Sequence, residues 1–258
     1  MFNDGIELLP NETKQARMNT RPLAPEFRAN LKQLLQGFAE HCEISTSLSG
    51  RIEHPIYFHG CKFGAPVFTF NGPLSDDAAP RRIGLIGHNT RTSTVASDIL
   101  LQLIEVATLR PELAIDQSLR FLPVSDPVTL ELEGDAPDLS DWPVLSFVAD
   151  QFRSSVSDGL IELRPTDGTS LVIRGAADVQ LYQVLASSAA THRGLPCLPV
   201  LSSFIPAFGE NRWHLEIDVP ESWTHSGDVL AVSRFLGRVL EAYSHLLGAC
   251  KAANRRLR

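Results

Sequence analysis

Six polar side chains lie close enough to the ends of short apolar runs to share one site. They are His88, Arg91, Asp126, Arg164, Glu216 and Asp218. Imidazole and carboxylate groups can bind a metal or transfer protons, whereas a guanidinium group binds anions. Glu216 and Asp218 are two residues apart, so a strand would place both carboxylates on one face. In open α/β sheets, ligands bind at the carboxyl ends of the strands, which is where we expect these side chains to meet.

The apolar runs predict the elements that position these side chains. Runs of strand length occur at 67–70, 83–86, 119–124, 160–163, 171–173 and 213–219. Apolar residues recur at helical spacing in 27–38, 95–104, 144–156, 179–185 and 229–247. Strands that alternate with helices indicate a mostly parallel sheet covered on both faces. The sequence therefore predicts a single three-layer α/β/α domain with a mixed, mostly parallel sheet.

Composition narrows the class of protein. The chain has 258 residues, 43% of them hydrophobic, and its formal net charge is -7. This sign opposes phosphate binding, so we expect no nucleic-acid partner. Because no apolar run reaches the ~20 residues that span a bilayer and the first residues lack a secretory pattern, we expect a cytoplasmic protein without a membrane partner. We expect a flexible arm at 1–23, the α/β domain at 24–250 and a basic tail at 251–258.

Nucleophilic catalysis is not predicted. Ser93 and Ser170 have no histidine and acid partners at a recognisable spacing. The four cysteines are far apart and form no C-x-x-C pair, so neither a zinc knuckle nor a disulfide framework is indicated. Any enzymatic activity would therefore depend on histidine, arginine and carboxylate side chains.

Six short motifs follow one another along the chain. They are GAPV at 64–67, GHNTR at 87–91, PVSDP at 123–127, DLSDW at 138–142, LRPTDGT at 163–169 and DVP at 218–220. In this order they resemble the zinc carboxypeptidase family, specifically its short, single-domain bacterial members. The resemblance extends from about residue 60 to residue 243 and implies the phosphorylase/hydrolase-like fold of that family.

The resemblance assigns roles to individual residues of this chain. His88 falls on the family's first zinc ligand, Arg91 on its ligand glutamate and Arg164 on its third ligand, a histidine. Asp218 falls on the general base, and a shift of two residues would give that role to Glu216. Only His88 keeps a side chain that can bind zinc, so it is a vestigial ligand and we expect no metal or other cofactor.

The departures from the family pattern predict the loss of its zinc reaction. A guanidinium group has no lone pair and stays protonated, so Arg91 or Arg164 would repel Zn²⁺. Ser140 and Asp141 replace the Asn and Arg that hold the substrate's terminal carboxylate in the family. We therefore expect a non-catalytic zinc-carboxypeptidase-like protein, a pseudoenzyme. Its former active-site cleft would bind a small carboxylate, a peptide C-terminus or another protein.

Under a second hypothesis, the protein is an active zinc enzyme. Catalytic zinc needs three protein ligands and a water, and only His88 remains of the family's set. After a local rearrangement, Asp126, His59 or Glu216 would have to complete the site. The protein would then be a zinc-dependent metallocarboxypeptidase or a related amidohydrolase.

The charges around the former metal site lead to one more expectation. Arg91 and Arg164 supply two positive charges, and Glu216 with Asp218 can supply two negative charges. Buried charges persist when they are paired, so we expect an arginine–carboxylate cluster in place of zinc, or an anion site if one carboxylate faces solvent. Simpler interpretations of these residues stay open. His88 would be a structural histidine, the arginines would be solvated, and the carboxylates would face solvent on an edge strand.

Overall fold

The computed structural model describes residues 25–58, 61–73, 80–90, 93–126, 143–156, 158–176, 200–201, 213–223 and 226–256. Several sequence predictions lie outside these ranges. They concern the arm at 1–23, the helix at 179–185, and the residues His59, Arg91, Ser140 and Asp141.

Four α-helices and eight strands make up the described chain. In chain order they are α1 (Pro25–Ile44), β1 (Leu48–Phe58), β2 (Cys61–Asn71), β3 (Arg81–Gly87), α2 (Val95–Leu109), β4 (Gln117–Leu122), α3 (Pro143–Ser154), β5 (Gly159–Thr166), β6 (Val172–Ala176), β7 (Val200–Leu201), β8 (Trp213–Pro220) and α4 (Ser226–Arg256). A short 3-10 helix, Pro111–Ala114, links α2 to β4. None of the described helices is both long and apolar enough to cross a membrane.

The strands form one sheet in the order β1-β2-β4-β3-β5-β8-β6-β7. Its centre, β4-β3-β5-β8, is parallel, and β6 pairs parallel with β7. The pairs β1/β2, β2/β4 and β6/β8 are antiparallel. The predicted α/β class with a mixed, mostly parallel sheet is confirmed.

The sheet separates two groups of buried side chains. The larger group lies between the sheet and helices α1, α2 and α4, and the smaller one between the sheet and α3. In β5, Ile161 and Leu163 belong to the larger group and Leu160 to the smaller one, as alternation along a strand requires. Glu162 shares the face of Leu160 and therefore lies on the α3 side of the sheet.

Helix α4 follows the predicted apolar pattern. Its buried residues recur at steps of three and four, among them Val232, Phe235, Leu236, Val239 and Leu240. The helix continues to Arg256, so most of the segment assigned to a basic tail is helical. Alanine, lysine and arginine, which are strong helix formers, dominate that segment.

Strand β1 was not predicted from the sequence. Its eleven residues include Gly50, Arg51, Glu53 and Pro55, which break the apolar pattern of a strand. β1 lies at the edge of the sheet, where charged residues and proline are tolerated, and its register with β2 shifts between Glu53 and Ile56. Backbone pairing with β2 therefore determines this strand.

Candidate active site

The carboxyl ends of β3, β4 and β5 bring their side chains together. His88 directly follows β3, and its amide donates to the Leu163 carbonyl of β5 at 2.9 Å. Ser125 follows β4, and its amide donates to the Gly87 carbonyl of β3 at 3.1 Å. These bonds extend the backbone pairing beyond the strands, so they fix the positions of His88 and Ser125 relative to β5.

The centre of the site is Glu162, whose side chain is only 1% exposed. Arg153 of α3 donates from Nε to Oε1 at 2.8 Å and from Nη2 to Oε2 at 3.0 Å. Arg164 Nη2 donates to Oε2 at 3.1 Å, and His88 Nε2 lies 2.8 Å from the same oxygen. His214 Nε2 of β8 lies 3.2 Å from Oε1. We call these five residues the Glu162 cluster.

The cluster keeps Glu162 ionised. Burial by itself raises the pKa of this carboxyl group, but hydrogen bonds from His214, His88 and Arg153 outweigh burial and hold the pKa well below its ordinary value. The bidentate contact with Arg153 adds two charge-assisted hydrogen bonds. Glu162 is therefore an anion, and it can only accept hydrogen bonds.

This charge state determines the tautomer of His88. Because the Glu162 carboxylate only accepts, Nε2 of His88 must carry a proton and donate it. The other ring nitrogen, Nδ1, lies 3.0 Å from Ser125 Oγ. In the neutral imidazole Nδ1 is an acceptor, so the Ser125 hydroxyl donates to it. Both ring nitrogens of His88 are therefore occupied by protein groups.

A second set of ion pairs lies on the same face of the sheet. Arg164 Nη2 lies 3.1 Å from Oε1 of Glu216, and Arg174 of β6 forms an ion pair with Asp218. In the strand register Arg164 is opposite Asp218, and Arg174 is opposite Glu216. Each arginine therefore bonds the carboxylate diagonal to it, and the two ion pairs tie β5, β8 and β6 together.

The predicted residues are distributed as follows. Arg164 and Glu216 pair as the cluster hypothesis proposed, whereas Asp218 pairs with Arg174, which the sequence did not single out. β8 is an inner strand, so the edge-strand interpretation of Glu216 and Asp218 is wrong. Asp126 is partly buried and directly follows Ser125.

Sequence reasoning missed the centre of the site. Glu162 interrupts the apolar run LIEL of β5, and a charged residue inside a buried strand is the one signal that could have identified it. Arg153 lies within a correctly predicted helix, but nothing in the sequence shows that α3 covers β5. His214 and Ser125 were likewise inside or just after predicted strands without an indicated partner.

The described residues do not fit a zinc ion. Among them, no group of three or more His, Cys, Asp or Glu side chains is arranged to hold a metal. Arg164 stands at the third ligand position that the resemblance assigns, and its guanidinium contacts Glu162 and Glu216. His88, at the first ligand position, uses both ring nitrogens within the protein. The available donors therefore suit an arginine–carboxylate network rather than a metal.

Comparison with solved structures identifies the fold. The metallo-carboxypeptidase from Burkholderia cenocepacia superposes with a TM-score of 0.57 at 12% identity, covering 88% of this chain and 70% of that protein. The metallo-carboxypeptidase from Pseudomonas aeruginosa in complex with (2-guanidinoethylmercapto)succinic acid superposes with a TM-score of 0.55 at 13% identity, covering 88% of this chain and 70% of that protein. An aspartoacylase family protein from Mesorhizobium loti superposes with a TM-score of 0.50 at 14% identity, covering 76% of this chain and 67% of that protein. The chain thus has a metallocarboxypeptidase-like fold, as the resemblance implied.

Sequence comparison adds no closer relationship. No protein-family model matches the chain, and no curated protein matches it. At 12–14% identity a structural likeness establishes architecture alone, because one fold can support many activities. The chemistry of the site therefore depends on the residues of this chain.

The burial of Glu162 predicts a large stability effect. Glu162→Ala removes the carboxylate that Arg153 and Arg164 share, so we expect the free energy of unfolding to fall by ~1.5–3 kcal/mol. Urea denaturation of both proteins measures this change. Glu112→Ala, which removes an exposed ion pair with Arg110, is the control and should leave stability unchanged. An equally small effect at Glu162 would contradict the assigned role.

The lowered pKa of Glu162 predicts acid sensitivity. A group whose pKa is lower in the folded state stabilises fully above its unfolded value, near 4.5, and this contribution is lost as pH falls. Between about pH 7 and about pH 3 the wild type should lose more stability than Glu162→Gln, because glutamine does not titrate. Parallel losses in the two proteins would show that Glu162 does not cause the acid sensitivity.

Proposed function

We propose that this chain is a metallocarboxypeptidase-like protein that has lost zinc catalysis, and that its former active-site cleft serves to bind a ligand. The observation that supports this proposal most strongly is the position of Arg164. The resemblance assigns this residue to the family's third ligand position, and its guanidinium lies 3.1 Å from both Glu162 and Glu216. A permanent cation with no lone pair cannot coordinate zinc.

Both candidates for the general base are also engaged. Glu216 accepts from Arg164, and Asp218 accepts from Arg174. In a zinc peptidase the metal lowers the pKa of the attacking water, and the base then removes its proton. Here the carboxylates are neutralised by arginines instead. They therefore act as structural partners rather than as bases.

The two arginines suggest the chemistry of the ligand. Side chains of Arg164 and Arg174 are 39% and 42% exposed, and the contacts described above use only Nη2 of each. The remaining N–H groups can donate to a planar oxyanion, such as a small carboxylate or a peptide C-terminus. Each arginine already has a carboxylate partner, so hydrogen bonds rather than a net positive charge would hold this ligand.

Zinc binding and peptidase activity test the loss of zinc catalysis. After incubation with equimolar zinc and gel filtration, elemental analysis should find no stoichiometric metal. Peptides should keep their C-terminal residues, because no metal acidifies a water. Retained zinc together with hydrolysis that a chelator abolishes and zinc restores would instead establish the active-enzyme hypothesis.

Calorimetric titration tests the binding role. We expect the protein to bind succinate or a peptide with a free C-terminus, and to bind the amidated peptide at least about tenfold more weakly. Succinate is the first probe because the P. aeruginosa protein holds a succinic acid derivative. Arg164→Gln with Arg174→Gln should remove this preference, whereas Arg110→Gln, at a distant exposed ion pair, should retain it. Equal binding of free and amidated peptides would contradict a carboxylate ligand.

A further inference from the structure

Three polar residues on adjacent strands line up beside the former metal site. Ser125 follows β4, His88 follows β3 and Glu162 lies in β5, and β3 is the strand between the other two. Ser125 Oγ lies 3.0 Å from His88 Nδ1, and His88 Nε2 lies 2.8 Å from Glu162 Oε2. A hydroxyl, a base and an orienting acid in hydrogen-bond contact are the parts of an activated nucleophile.

We infer that Ser125, His88 and Glu162 form a metal-independent nucleophile relay that accepts a short acyl group from an activated ester. This inference goes beyond the proposed function, since it assigns a covalent step to Ser125, His88 and Glu162 and requires neither zinc nor a carboxylate ligand on the two exposed arginines. The direction of the hydrogen bonds supports it. Glu162 accepts from Nε2, which leaves the Nδ1 lone pair directed at the Ser125 hydroxyl proton.

The arginines of the Glu162 cluster limit the substrate class. Arg153 and Arg164 share the negative charge of Glu162, so this carboxylate orients the imidazole of His88 more than it stabilises an imidazolium. A weakly activated serine reacts with esters that have good leaving groups, such as aryl esters, rather than with peptides. Ser125 is 5% exposed and the His88 side chain 26% exposed, so a substrate would approach from the side of His88, and the small exposed area favours a short acyl group.

The chemical step is balanced without a metal. Ser125 Oγ bonds to the carbonyl carbon of the ester while its proton passes to His88 Nδ1. The tetrahedral adduct then expels the alcohol, which takes that proton, and leaves an acyl ester on Ser125. Water repeats the sequence and releases the acid, so the net reaction converts an ester and water into an acid and an alcohol.

A fluorophosphonate tests the relay directly, because an activated serine displaces its fluoride and gains a stable phosphonyl group. We expect one adduct per folded chain by intact mass, located on Ser125 by peptide mapping. Labelling should be insensitive to a chelator and at least about 100-fold slower in His88→Gln. Ser118→Ala is the control. It removes a second buried serine, which lies in β4 and donates to Asn71, and this variant should label normally. Ser125→Ala should not label.

Each other outcome overturns the inference. No adduct on the folded wild type, an adduct elsewhere in the chain, or equal labelling rates in wild type and His88→Gln would each show that Ser125 is not activated. Peptide mapping of the wild type alone decides the matter if the Ser125 or His88 variants fail to fold. Failure of the relay leaves the zinc and carboxylate measurements unaffected, so the two proposals can be judged separately.

Discussion

The buried charge of Glu162 is the constraint around which the rest of the site is arranged. Removing a carboxylate from water costs several kcal/mol unless hydrogen bonds and opposite charges offset the loss. Here the compensation comes from α3 through Arg153, from β5 itself through Arg164, from the residue after β3 through His88 and from the start of β8 through His214. One side chain thereby holds a helix and three parallel strands in fixed relative positions.

The same network joins several elements of a metallocarboxypeptidase-like fold through one buried anion. A zinc site stabilises its surroundings by joining side chains from several strands to one cation. In this chain the joining group is an anion instead, because the Glu162 carboxylate contacts two guanidinium and two imidazole side chains. Arg164 extends the network to Glu216, and Arg174 with Asp218 continues it to the next strand.

Much of the fold could be predicted because burial leaves a periodic pattern in sequence. The central strands and α4 were recognised in this way, whereas β1, held by backbone pairing at the sheet edge, has no such pattern. The site was harder to predict because its contacts cross the sheet. Ser125 and Glu162 lie 37 and 74 residues from His88, and only the strand order brings them together. The diagonal pairing of Arg174 with Asp218 likewise depends on side-chain direction, which sequence does not reveal.

The central claim is that His88 is a hydrogen-bonded member of the Glu162 cluster and not a metal ligand. Long-range ¹H–¹⁵N correlation spectra of histidine-labelled protein, with His88 assigned from the His88→Gln spectrum, report directly on both ring nitrogens. The account predicts a ring that carries a proton on Nε2, with chemical shifts unchanged by equimolar zinc. Protonation at Nδ1 alone, or a zinc-induced shift of either His88 nitrogen, would contradict it.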